Sequence, residues 1–120
     1  MIRVCKLDRD GVSYPEVTDD PMAWHDLLGG YMESFPLPHH LARRGLMALA
    51  DEDGLGKQLA LNPYTPLLGR TIVGPVVIAR SDPPEFVDLT AEDVAALDNY
   101  FGRLAIVFTI DFQSTFNGHH

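Results

Sequence analysis

Four side chains could together read a small polar ligand: Glu33, Asn62, Tyr64 and Arg70. Glu33 follows the Gly29-Gly30 pair on an alternating stretch, where Tyr31, Glu33, Phe35 and Leu37 share one face. A carboxylate between two aromatic rings is either a strand-edge group that reaches water or a partly buried acid with a raised pKa. Asn62 and Tyr64 lie in the Asn62-Pro63-Tyr64-Thr65-Pro66 loop. Asparagine before proline is biased to extended backbone, which projects its amide. The same amide could instead close the loop through its own backbone. Arg70 stands at the entrance of the most β-branched run and could pair with Glu33 or with a ligand anion. The four are therefore expected to border a common polar pocket or interface.

Other reactive types are present without the spacing that chemistry needs. His39 and His40 are adjacent, so on a strand they face opposite ways and make a poor metal pair. Asp51-Glu52-Asp53-Gly54 has the charge of a calcium loop without its alternating acids or closing glutamate, and reads as a solvated hairpin turn. Gly29-Gly30 follows a helix, so no helix N-terminus aims its amides at a phosphate. No serine sits in a nucleophile elbow. Cys5 is the sole cysteine, which excludes an internal disulfide and a cysteine-rich zinc site, and it reads as an inert buried thiol. His25 reads as a surface or core-edge residue. No nucleophile, base and orienting group form a set, so no catalytic residue, metal or cofactor is expected.

The elements that must position these groups are legible in order. Ile2 to Leu7 alternates as a strand, and Asp8-Arg9-Asp10-Gly11 turns it into a weaker strand, Val12 to Val17, which Pro15 places at an edge. Asp20 caps a first helix with Pro21 at its first position, Trp24, Leu27 and Leu28 form its apolar stripe, and Gly29-Gly30 ends it. Tyr31 to Leu37 is a strand, residues 36–40 a loop, and Leu46 to Ala50 a strand closed by the acidic turn, with Leu55 to Leu61 as its return. Thr71 to Arg80 is the densest β-branched run; Gly74-Pro75 leaves Val76 to Arg80 as its well-paired part, buried on both faces at the centre of the sheet. Ser81-Asp82-Pro83-Pro84 is a break. Thr90 to Leu104 is a second helix, with Thr90 and Asp93 as a capping box, Leu89 and Val94 as a staple, and Val94, Leu97, Phe101 and Leu104 on one face. Ala105 to Phe112 reads as a strand or a helix extension, and residues 113–120 as a frayed tail. His119-His120 reads equally as native sequence or as a purification-tag remnant. The sum is one α+β domain over residues 1–120: a mainly antiparallel sheet of about five strands with two helices packed on one face.

The totals bound the setting. A chain of 120 residues with 46% apolar and 22% charged content can bury a core without staples. Its formal net charge is −8 and stays negative with all five histidines protonated, so direct nucleic-acid binding is not expected. No run is long enough to span a membrane and no signal-peptide core is present, so the chain reads as cytoplasmic.

Two stretches in this order resemble a known family. One is Leu27-Leu28-Gly29-Gly30-Tyr31-Met32-Glu33. The other runs from Ala50-Asp51-Glu52-Asp53-Gly54 through Leu61-Asn62-Pro63 to Ile72-Val73-Gly74-Pro75-Val76-Val77-Ile78. They are similar to the domain of unknown function 3846 family, small bacterial and bacteriophage proteins, over about residues 1–100. The resemblance implies a phage, prophage or plasmid gene and no assigned activity. The expected function is a non-catalytic binding or interaction module for a protein or small polar ligand, self-association included. The alternatives are an inhibitor of a host defence or nucleic-acid enzyme, by acidic mimicry or small-nucleotide capture, and a small enzyme without a recognisable motif.

Overall fold

The β-branched run builds the centre of the molecule. In the computed structural model, which describes residues 1–102 apart from residues 19, 55 and 58, Val76–Asp82 forms β7. It lies between β2 (Cys5–Asp8) and β6 (Leu46–Asp51), antiparallel to both. Adding the edge strands β3 (Gly11–Ser13) and β5 (Met32–Phe35), the sheet reads β3-β2-β7-β6-β5, with β8 (Glu85–Val87) on the far end of β7. The α+β, antiparallel architecture is the expected one, with six strands in this sheet. A separate pair, β1 (Ile2–Arg3) with β4 (Glu16–Val17), sits beside it.

β7 is apolar at odd and even positions, so both faces of the sheet need cover. On one face Cys5, Leu7, Ala48, Ala50, Val76 and Ile78 pack under Leu41, Leu68, Leu97 and Phe101. These come from α2 (His39–Ala42), α3 (Thr65–Leu68) and α4 (residues 91–102). On the other face Val4, Leu49, Val77 and Ala79 pack under Trp24 and Leu28 of α1 (Pro21–Leu28), with Val17 and Phe86 alongside. The two long helices therefore cover opposite faces instead of sharing one.

Both long helices start where their caps predict. Asp20 accepts a hydrogen bond from Met22 N at 2.9 Å, and Gly29 ends α1 at φ 82°. Thr90 N donates to Asp93 Oδ2 at 2.9 Å and Asp93 N to Thr90 Oγ1 at 3.1 Å, the reciprocal capping box. The expected extension of this helix to Leu104, the element over 105–112 and the tail lie outside the described residues.

Four local expectations change. The first strand divides at Val4, whose N–H donates to Pro15 O at 3.0 Å, and its partner divides at Tyr14-Pro15 because proline cannot continue a ladder. His39–Ala42 winds a helical turn where a loop was expected. The acidic turn does not open a hairpin: β5 and β7 already occupy both edges of β6, so the chain leaves the sheet, and on its return Leu61 bridges Val73 just ahead of β7. Ser81-Asp82 continues β7, and Pro83-Pro84 takes the turn positions of a β7–β8 hairpin, where no ladder N–H is needed.

Candidate functional site

The outer edge of β5, which no other described strand pairs, and the cleft beside it form the candidate interface. Their position follows from how α1 stops. Gly29 turns left-handed, and Gly30 then passes so close to the sheet that a Cβ there would lie 2.5 Å from both Asp51 Oδ1 and Lys57 Nζ. Glycine is the residue that permits this approach. Lys57 Nζ fastens the junction, donating to Gly29 O at 2.7 Å and to Asp51 Oδ2 at 2.6 Å, while Asp51 Oδ1 accepts from Asp53 N at 2.9 Å. Burial alone would raise the Asp51 pKa. The Lys57 ammonium, the Asp53 N–H and nearby His25 outweigh it and hold the carboxyl below its ordinary value.

Above this ion pair, whose carboxylate is buried and whose ammonium is partly exposed, opens a cleft of about 760 Å³, walled by His25, Tyr31, Glu33, Glu52, Asp53 and Lys57. His25 and Tyr31 meet edge to face with centroids 5.0 Å apart. His25 Nδ1 is shielded from solvent and has no hydrogen-bond partner among the described residues. Three of these six wall residues are acidic, and the Lys57 ammonium is already committed to Asp51.

β5 borders this cleft with backbone to spare. Among the described residues it pairs only with β6. Glu52 N donates to Tyr31 O at 2.9 Å, in register with the Met32↔Asp51 and Glu33↔Ala50 pairs. Bonded and non-bonded pairs alternate along an antiparallel ladder. Tyr31, Glu33 and Phe35 thus turn their backbone groups toward β6, and Met32 and Ser34 turn theirs outward. Tyr31 is 73% and Met32 41% exposed beside this edge.

The four side chains expected to share a pocket divide into two pairs. Glu33 and Arg70 do line one groove, of about 90 Å³, with the Arg70 guanidinium carbon 5.1 Å from the centroid of the Phe35 ring. Glu33 is exposed, the strand-edge carboxylate that reaches water. Asn62 and Tyr64 are buried elsewhere. Asn62 donates to Leu7 O at 3.0 Å and Gly74 O at 2.9 Å and accepts from Tyr64 N at 2.9 Å, so its amide ties the loop to the sheet and is not projected. Tyr64 packs in the core with its ring edge-on to Phe101, and burial, then the Cys5 and Asp8 charges, raise its phenol pKa. The residues that sequence reasoning missed are Gly30, Asp51 and Lys57. Asp51 was legible in principle: two positions past Leu49, it continues the inward parity of β6.

Cys5 is fully buried; burial, then the Asp98 charge, push its thiol up to about 12, which removes it as a nucleophile at neutral pH. Among the described residues no group of three or more His, Cys, Asp or Glu side chains could hold a metal ion, and no helix is long and apolar enough to cross a membrane. Compared with protein-family models, curated proteins and solved structures, the chain matches none.

Proposed function

We propose that this chain is a non-catalytic binding module that takes up an extended, basic polypeptide segment along the outer edge of β5, and that it belongs with the small bacterial and phage proteins it resembles. The observation that carries the reading is an edge that no described residue pairs: outward backbone at Met32 and Ser34, exposed Tyr31 and Met32 for apolar contact, and Glu33, Glu52 and Asp53 beside them. An added strand gains main-chain hydrogen bonds along such an edge, and side-chain contacts set its specificity. Charge chooses the partner. A second copy of this chain pairing through β5 would put Glu33 opposite or diagonal to its own counterpart, which is destabilising. A lysine- or arginine-bearing strand meets the same carboxylate favourably.

The test is an amide chemical-shift titration with a synthetic peptide of alternating lysine and valine. Shifts should concentrate on Met32–Phe35 and Glu52, and added salt should weaken them. Ser34→Pro removes one outward N–H without touching the β6 ladder, so it should abolish binding and keep the fold. Shifts centred elsewhere, or full binding by Ser34→Pro, would refute the reading.

A further inference from the structure

A second, oppositely charged site lies at the other end of β6. A third of the chain's nine lysines and arginines meet there: Arg43, Arg44 and Arg80, with His40, wall an open cleft of about 560 Å³. We propose that this cleft binds a small oxyanion of the phosphomonoester class.

Asp93, fully buried at the start of α4, accepts from Arg80 Nε and Nη2, both at 2.7 Å, and from Arg44 Nε at 3.2 Å. Arg44 Nη2 lies 3.2 Å from the same carboxylate. The Arg80 and Arg44 guanidiniums are thus held through their Nε/Nη2 sides, and among the described residues no hydrogen bond uses either Nη1. Arg43 is exposed on the turn that follows α2. One carboxylate set against three guanidiniums leaves the cleft cationic, with Glu92 the further acid acting on Arg80. His40 is propped against Tyr100, ring centroids 4.6 Å apart, and closes one side. Fixed arginine forks match the geometry of a phosphate better than a mobile cation does. Prior fixation by Asp93 lowers the ordering cost on binding.

The rest of the molecule restricts the ligand's size. The net charge of −8 repels nucleic acid and anionic membranes at long range, whereas a small anion can come within a Debye length of the cleft. The cleft volume suits a small molecule.

The experiment titrates the full chain with inorganic phosphate, chloride holding the ionic strength constant, and follows amide shifts. Saturable shifts at Arg43, Arg44, Gly45 and Arg80 are expected. Arg43→Ala should weaken them by about tenfold with an unchanged melting temperature, because Arg43 is exposed. Vesicles of phosphatidic acid should not pellet the protein. Non-saturating shifts, shifts unaltered by Arg43→Ala, or pelleting with the vesicles would each overturn the proposal.

Discussion

Replacing Asn62 tests whether its amide is a structural clasp. Asn62 is 2% exposed and makes three hydrogen bonds to backbone groups. In Asn62→Ala the Tyr64 N–H and the Leu7 carbonyl lose a partner inside the core, while the Gly74 carbonyl is near enough to the surface to turn to water. A buried group left unpaired costs about 1–3 kcal/mol, so two of them give a loss of about 3 kcal/mol. For a chain of this size that lowers the melting temperature by on the order of 10 °C. Urea denaturation supplies the free energy and calorimetry the Tm.

Asn62→Asp separates the parts of the clasp. The aspartate keeps the acceptor for Tyr64 N but turns a charge toward two carbonyl oxygens. Its folded-state pKa must therefore lie above its unfolded value, and the variant should be weakest at neutral pH and recover as the medium is acidified. A loss below about 1 kcal/mol in Asn62→Ala would refute the clasp and return Asn62 to the surface as a ligand-reading group.

Three further outcomes follow from the same geometry. Gly30→Ala should destabilise by about 1–3 kcal/mol in urea, because its Cβ would displace the buried Asp51 carboxylate from Lys57; wild-type stability would show that the junction is loose. Burial would raise the Asp93 pKa, but Arg80 and Thr90 hold it at about 2, below the ordinary 3.8, so its contribution of about 2 kcal/mol is complete above pH 5 and disappears as pH falls toward 2; Asp93→Asn should flatten that part of the stability curve, and an unchanged acid limb would count against the pairing. Cys5 should resist a thiol reagent at pH 8 until urea unfolds the chain, and rapid labelling of the native protein would show that β2 opens.

What the sequence disclosed depended on the range of each interaction. The caps of α1 and α4 were legible because Asp20 with Met22, and Thr90 with Asp93, lie two and three residues apart. β7 was legible because its own β-branched side chains describe a doubly covered strand. The loop-closing alternative for Asn62 agrees with its local bond from Tyr64 N, but its bond to the Leu7 carbonyl, 55 residues away, has no signal in the sequence. In sequence an asparagine between leucine and proline looks the same whether it reaches outward or inward. Asp93 was read only as a cap. Its second role, holding Arg80 and Arg44, spans 13 and 49 residues. β8 was hidden by Pro83-Pro84, which signals a loop but cannot say that the chain returns to pair. Of the four expected site residues, Glu33 and Arg70 line one groove, and their positions follow from strand parity and proximity to β7, which are local. The cleft beside Glu33 depended on Lys57 reaching back 28 residues to Gly29, which no spacing announces.

The acidic and cationic clefts sit at opposite ends of β6, and that distance governs whether they influence each other. Arg80 pairs with Leu46 at one end of the strand, and Met32 pairs with Asp51 at the other. Five steps of about 3.4 Å separate those ends by roughly 17 Å. Screening in physiological salt decays over about 8 Å, so the two clusters should neither neutralise nor reinforce one another. Sites this far apart are expected to behave additively. Cross-titration gives the check: Glu33→Gln should weaken the basic peptide and leave phosphate affinity unchanged, and Arg43→Ala should do the reverse. A tenfold effect across the strand would mean that β6 transmits a structural change between its ends, and the two sites would then have to be treated as one coupled device.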